Sequence, residues 1–282
     1  MAAQLTTRPL VTVSALPPEN NPYKKPWYLP TFSPEHGVLL VLLGAVLTGA
    51  SVAQAWSIDT SWACLATFLG LQAEHPVIVQ IKRRRRWRPR YLVWAGIYGG
   101  AALAIALWLC LQHPVLWWIV GAGVLSLGLD IVAVLKRNHK TIANEIVMFV
   151  AICLSTLFVC GATTGEITTQ AIGMWVLNSL FFASAVFSVK LRKKKTRSLQ
   201  PSVIYHGVAI SLIVTLYSIG WLSMFTALVF LVALLKLAVI VCWQNWYRTC
   251  RFEHIARFET YFALSYTFLA ALTVLPPKLP VA

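Results

Sequence analysis

The sequence predicts an all-α polytopic membrane protein with about nine transmembrane helices, and three observations support this fold class. Hydrophobic residues make up 58% of the 282-residue chain and charged residues only 12%, whereas an ordinary soluble domain has about 25% charged residues. The apolar residues form long runs of about 20, the length that a helix needs to cross a bilayer. The charges lie mainly between these runs. Because lipid cannot hydrogen-bond a backbone, each run is expected to be helical.

Nine apolar runs follow one another along the chain, and the second and sixth are identified by their length. The predicted spans are 36–56, 58–81, 91–111, 114–135, 142–162, 167–190, 202–221, 223–243 and 255–275. The stretch 202–243 is divided at "SIGWLS" because one helix of that length would be too long to cross once. Residues 34–276 are therefore predicted to form one transmembrane domain, between a polar, Pro-rich tail 1–33 and a short tail 277–282.

The positive charges predict the orientation of these spans. If the N-terminus is cytoplasmic, 22 of the 24 Lys and Arg residues fall in cytoplasmic segments, and the four outer loops contain none. This distribution follows the positive-inside rule, so the C-terminus is predicted to be external. The polar first 30 residues do not have the apolar core of a cleavable signal peptide. The tail 1–33 is too polar to bury a core and is expected to be flexible.

The densest basic cluster is "KRRRRWRPR" at 82–90, which alone would suit nucleic-acid binding. Its position between the second and third spans instead makes it an inner loop that orients the chain. Near a membrane surface each cation gains about 1 kcal/mol from anionic headgroups. The sequence therefore predicts contact with a bilayer of anionic lipid and no nucleic-acid partner. The predicted headgroup contacts are Lys82, Arg83, Arg84, Arg85, Arg86, Lys190 and Arg192.

The outer half of the spans has few ionisable residues: Asp59 and Glu166 at loop edges and His113 in a loop. Ten other polar or ionisable residues at or inside the spans fall in the cytoplasmic half or near the midplane. They are Glu35, His36, Glu74, His75, Asp130, Glu145, Asn178, His206, Lys236 and Glu259. Because such residues are costly in a bilayer, this one-sided distribution predicts a polar cavity that opens to the cytoplasm. Glu74 and Lys236 are expected to face one chamber, with Asp130 and Asn178 nearby. The alternative is a set of helix-end pairs, each worth about 0–1 kcal/mol.

Motifs for common chemistries are missing from the sequence. It contains no GxSxG, HExxH or Walker A motif, and its six cysteines lack metal-binding spacing. Neither a metal nor another cofactor is predicted, and the catalytic residues are unknown. The sequence leaves open whether the protein is an enzyme.

Several short motifs resemble the YwiC-like family of bacterial membrane proteins. They are "PEHG" before the first span, "KRRRRWRPR" after the second, "NSLFFASAVFSVKLRKKK" in the sixth, "HG" in the seventh and "FETYFALSYTFLAALTV" in the ninth. The resemblance runs from about Pro34 to Thr273. It implies an integral protein of a bacterial inner membrane or an internal membrane, and no established activity is carried over with it.

The layout of nine spans with large basic loops after the second and sixth is also similar to UbiA-type prenyltransferases. Those enzymes hold Mg²⁺ and a prenyl diphosphate on Asp-rich motifs at these two places. Here the corresponding stretches are "AEHPVIVQIKRRRR" and "SAVFSVKLRKKK", where Glu74 is the only carboxylate. Since Mg²⁺ needs oxygen ligands, UbiA-like catalysis is not expected, although cations could hold an anionic headgroup directly.

These features favour binding or handling of an amphipathic anionic lipid or isoprenoid-type molecule in a cytoplasm-facing cavity. Two alternatives stay open: a non-catalytic scaffold or assembly protein, and a transporter of a small ion or solute. A transporter needs access from both sides, and the outer half of the spans has few polar residues. The sequence does not specify the oligomeric state.

Overall fold

The structure is a computed structural model that describes residues 27–34, 36–82, 88–138, 140–192 and 198–275. Every regular element in these ranges is an α-helix. The helices are α1 His36–Ala53, α2 Ile58–Lys82, α3 Pro89–Gln112, α4 Leu116–Leu135, α5 Ile142–Thr164, α6 Thr169–Lys190, α7 Gln200–Ser218, α8 Met224–Leu228, α9 Leu231–Cys242, α10 Gln244–Thr249 and α11 Phe252–Val274. Each predicted span coincides with one helix, except that 223–243 contains both α8 and α9. The prediction of an all-helical protein is therefore confirmed.

Seven of the described helical segments are long and apolar enough to cross a membrane: α1, α3, α4, α5, α6, α7 and the stretch Met224–Cys242 that contains α8 and α9. The helices α2 and α11, of 25 and 23 residues, lie outside this set. Polar residues such as Glu74, His75 and Glu259 lower the hydropathy of these two helices. The chain is thus a helical membrane protein with seven candidate spans, and the count of nine stays a prediction.

The core of the bundle is built around α1, α5 and α6. Helix α1 approaches its neighbours closely at two glycines, which allow close contact because they have no Cβ. A Cβ added at Gly49 would lie 2.5 Å from the backbone oxygen of Thr156 in α5, and one at Gly44 would lie 2.6 Å from the Phe182 ring in α6. Helices α3 and α4 lie at the periphery, where half of their residues stay exposed.

One end of the bundle gathers the basic connections between helices. Lys190 Nζ, at the end of α6, donates to the backbone oxygen of Lys140 before α5 at 2.9 Å. Lys82, at the end of α2, lines the same cavity as Lys140. Arg192 donates to the backbone oxygen of Cys250, just before α11. We call this the basic end.

The other end of the bundle is held by uncharged contacts and one weak acid–imidazole contact. Gln54 Nε2, just after α1, donates to the backbone oxygen of Val274 at the end of α11, at 2.9 Å. The hydroxyls of Thr60 in α2 and Thr163 in α5 are 2.7 Å apart. His113, after α3, lies 3.5 Å from the Asp59 carboxylate. We call this the opposite end.

Candidate functional site

An apolar cavity of about 400 Å³ lies between α2, α3, α4 and α5. Aliphatic side chains form most of its wall, among them Leu103, Val120 and Ile152. Small residues widen it: Gly70 and Gly123 line the cavity, and a Cβ added at either would meet nothing within 4 Å. The absence of bulk at these positions leaves room between helices that otherwise pack on one another.

A second cavity of about 390 Å³ lies at the basic end. Its polar lining residues are Ser33, Glu74, His75, Lys82, Asp130, Lys140, Asn144 and Glu145. Leu71, Glu74, Met148 and Ile152 line both cavities. The polar cavity therefore adjoins the apolar one, and together they form one amphipathic site.

Asp130 is the most buried charged residue of the polar cavity, with 6% of its surface exposed. Its Oδ1 accepts a hydrogen bond from Asn144 Nδ2 at 2.8 Å. The sequence places Asn144 there because Thr141 caps α5: the Thr141 hydroxyl accepts from the Asn144 backbone N–H at 3.3 Å. The short connection after α4 thus turns an aspartate and an asparagine towards each other.

Glu145 also lines the polar cavity, and it forms an ion pair. Its Oε2 lies 2.8 Å from Lys190 Nζ, and the two side chains are 30% and 10% exposed respectively. Because Lys190 also donates to the Lys140 backbone, this pair joins the end of α6 to the start of α5. The charge of Glu145 is compensated within the protein.

Residues 27–34, which we call the N-terminal strap, cross from α3 to α2 at the basic end. Arg90 Nε, in the first turn of α3, donates to the backbone oxygen of Leu29 at 2.7 Å. Ser33 N–H donates to Gln72 Oε1 of α2 at 2.9 Å. Since Ser33 also lines the polar cavity, the strap ends at its wall.

Apart from the polar cavity, Lys236 and Glu259 form a second polar group, which lies between α6, α9, α10 and α11. Lys236 Nζ lies 3.0 Å from Glu259 Oε2 and 3.0 Å from the Ser184 hydroxyl. The Tyr247 hydroxyl donates to Glu259 Oε1 at 3.1 Å. Burial, and then the adjacent Glu259 carboxylate, raise the pKa of Tyr247, so this phenol stays protonated and can donate.

Asn178 is the centre of a third polar group, which lies in the core of the bundle. Its Nδ2 donates to the hydroxyls of Thr48 at 2.7 Å and Thr156 at 2.9 Å. Its Oδ1 accepts from the Tyr266 hydroxyl at 2.8 Å. One amide therefore connects α1, α5, α6 and α11, and Asn178 is fully buried.

His206 lies on α7. Its Nδ1 donates to the Ser202 backbone oxygen at 2.7 Å, which leaves Nε2 as an acceptor. Within the described part of the chain, Nε2 is buried and has no hydrogen-bond partner. The ring packs against Tyr205 and Phe230.

The structure divides the predicted cavity residues among these places. It brings Glu74, His75, Asp130 and Glu145 to the polar cavity. It places Asn178 in the core network and pairs Lys236 with Glu259, so the four residues expected around one chamber are not all brought together. His36 is exposed. Glu35, Arg83, Arg84, Arg85 and Arg86 lie outside the described residues.

The predicted headgroup contacts that the structure describes differ in their surroundings. Lys82 is exposed and lines the polar cavity. Lys190 is ion-paired, and Arg192 lies over the Phe252 ring at 5.9 Å. The prediction did not include Lys140, Ser184 or Tyr247. For Lys140 a signal existed, because the short 136–140 loop must lie beside the start of α5.

Comparison with known proteins gives one match. Residues 32–160 match the model of a protein family described as "YwiC-like protein". The resemblance to that family is thereby confirmed over a segment that runs from the strap to the last turns of α5. This segment includes all the lining residues of the polar and apolar cavities. For the rest of the stretch up to Thr273 it stays a prediction. No curated protein and no solved structure matches the chain significantly.

Proposed function

We propose that this chain, with its YwiC-like segment, binds or handles an amphipathic lipid or isoprenoid-type molecule. The observation that carries the proposal is the junction of the two cavities at Leu71, Glu74, Met148 and Ile152. The apolar cavity takes the tail, and the polar cavity takes a head that carries an anionic group such as phosphate. A fully polar solute would leave the apolar cavity of such a site unfilled.

Affinity for this ligand comes mainly from the head and from shape. A tail that leaves the bilayer for the apolar cavity exchanges one apolar environment for another, so the hydrophobic effect contributes little. Packing contacts and hydrogen bonds must therefore supply most of the binding free energy. Lys82 and Lys140 are the exposed cations of the polar cavity, and charge-assisted hydrogen bonds from ammonium groups to phosphate oxygens are among the strong ones.

The proposed setting is a bacterial inner membrane or an internal membrane, which the chain crosses nine times with a cytoplasmic N-terminus. In this orientation the basic end faces the cytoplasm, where leaflets rich in anionic lipid attract Lys and Arg. The polar cavity then opens at the level of the headgroups. A membrane lipid can reach it without leaving the bilayer.

A matched pair of substitutions on α4 tests the proposal. Gly123 lines the apolar cavity and Gly121 does not, yet a Cβ added at either would meet nothing within 4 Å. We expect Gly123→Phe to fill the cavity and Gly121→Phe to leave it open. The measurement is the amount of amphiphile that co-purifies with each variant, by native mass spectrometry and lipid extraction.

The parent protein and Gly121→Phe should retain a bound amphiphile that Gly123→Phe loses. A parent protein that carries no amphiphile after purification and binds none on addition would contradict the proposal. Equal retention by both variants would contradict the assignment of the tail to this cavity. The first result would favour the scaffold interpretation of the sequence, whereas the second would leave amphiphile binding in place and put the tail elsewhere.

A further inference from the structure

The polar cavity contains a buried negative charge that the described protein does not compensate. Asp130 is 6% exposed and receives one hydrogen bond, from the Asn144 amide. Asp130 forms no ion pair with another described residue. A carboxylate in so little water is costly unless a positive group pairs with it.

The same cavity also contains positive charges that the described protein does not compensate. Lys82 and Lys140 line the cavity and are exposed, and neither forms an ion pair with a described residue. Glu145 differs, since Lys190 neutralises it at 2.8 Å. The cavity therefore offers one buried carboxylate inside and two ammonium groups at positions that reach water.

We infer that the head of the bound amphiphile is zwitterionic, with an ammonium group that pairs with Asp130 and a phosphate that pairs with Lys82 and Lys140. This inference rests on the proposed function, because it specifies the head of the same ligand. An aminophospholipid such as phosphatidylethanolamine has this chemistry. Its ammonium also offers N–H donors, which suit a carboxylate that already accepts one amide hydrogen.

A purely anionic head fits this arrangement less well. Its phosphate could contact Lys82 and Lys140, but Asp130 would stay buried without a counter-charge. Selectivity between two ligands follows from such an unpaired group in the less favourable complex. Hydrogen bonds that involve charged groups contribute enough to change affinity by about tenfold or more. Phosphatidylethanolamine should therefore bind at least about tenfold more tightly than phosphatidylglycerol with the same acyl chains.

The experiment compares three probes on the full-length protein in detergent: phosphatidylethanolamine, phosphatidylglycerol, and phosphatidylethanolamine whose amine is acetylated. All three carry the same acyl chains, and binding is measured by native mass spectrometry. The parent protein should prefer the first probe to both others. Asp130→Asn should bind all three about equally, whereas Asp59→Asn, at the opposite end, should keep the preference of the parent.

Two outcomes would overturn the inference while the proposed function stands: the parent binds the three probes equally, or Asp130→Asn keeps the full preference. The first outcome needs no variant, so a failure of Asp130→Asn to fold leaves the inference testable. If the parent binds none of the probes and carries no other amphiphile, the proposed function fails as well. The Gly123→Phe comparison separates these cases.

Discussion

At the scale of single residues, Lys236 is a buried cation whose charge is compensated by its neighbours. It is 2% exposed, yet Glu259 and Ser184 accept from its ammonium and the Phe181 ring centre lies 5.3 Å away. Glu259, 18% exposed as a side chain, is shared with Tyr247. A buried pair with all its hydrogen bonds adds little over an apolar pair, but one of its charges alone is costly. The ion pair is therefore important mainly because removal of one partner leaves the other as a buried charge without a counter-charge.

We predict that Lys236→Met lowers the free energy of unfolding by about 3 kcal/mol. The substitution keeps the length of the side chain and leaves the Glu259 carboxylate without its counter-charge. The value is at the low end of the range for buried pairs because Glu259 has some access to water. Denaturant titration of the purified protein in micelles, followed by tryptophan fluorescence, measures the change.

The double variant Lys236→Met/Glu259→Gln should recover most of the lost stability, because no unpaired charge remains. Lys136→Met is the matched control: Lys136 is exposed just after α4, so its replacement should change stability by less than about 0.5 kcal/mol. If the single and double variants lose the same stability, the ion pair does not contribute in the way described.

How far the sequence predicts the site is seen at the same scale. The depth of a residue along a span follows from hydropathy, so the sequence could place Glu74 and Asp130 in one half of the bilayer. The direction in which a side chain points depends on how helices pack, and no periodicity in one chain determines that. Asn178 and Lys236 lie in helices that the sequence predicts, α6 and α9, but these helices turn them towards Tyr266 and Glu259 instead.

At the scale of elements, the apolar runs predict where the helices lie but not every interruption. The predicted span 223–243 contains two helices, with a turn at Val229 and Phe230. Neither proline nor glycine marks this turn, and both residues are buried. Packing therefore favours the interruption, which local sequence signals cannot show. The short helix α10 was not predicted either, because it lies in the polar segment before α11.

Close approach of α1 and α5 gives a prediction about an element contact. We expect Gly49→Ala to destabilise the protein by about 1–3 kcal/mol, because the new Cβ would lie 2.5 Å from the Thr156 backbone oxygen. A backbone atom cannot move aside as a flexible side chain can. A shift of α1 away from α5 that relieves this contact would also weaken the hydrogen bond from the Thr156 hydroxyl to the Ala45 backbone oxygen, which is now 3.0 Å long.

Gly37→Ala, on the same helix, is the control for this experiment. A Cβ at Gly37 would meet nothing within 4 Å, and alanine favours a helix over glycine by up to about 1 kcal/mol. This variant should match the parent or exceed its thermal unfolding temperature. Equal unfolding temperatures for Gly49→Ala and the parent would show that α1 and α5 can separate at little cost.

At the scale of the whole molecule, the helices run between two ends of different chemistry. The strap, Lys82, Lys140 and Lys190 are at the basic end, whereas Gln54 and the end of α11 meet at the opposite end. Helix α2 begins near His113 at the opposite end and finishes with Lys82 at the basic end. Helix α11 begins beside Cys250, which contacts Arg192, and finishes at Val274. Both helices thus extend from one end to the other.

This arrangement predicts that the chain crosses the membrane nine times. If α2 and α11 cross as their neighbours do, the number of crossings is odd and the two termini lie on different sides. The positive-inside rule then puts the basic end in the cytoplasm. Reporter fusions after Thr164 and Ala282 should read as external, and a fusion after Thr196 as cytoplasmic.

Replacing Glu74 makes the topology test specific for α2, one of the two helices with a weaker apolar signal. Glu74→Leu raises the hydropathy of α2, so it should leave all three fusion readings unchanged if α2 already crosses. Inversion of all three readings in this variant would mean that α2 does not cross in the parent. An internal Ala282 in the parent would make the number of crossings even. The end-to-end course of α11 would then have to be revised, because Val274 lies beside Gln54 at the opposite end of the bundle.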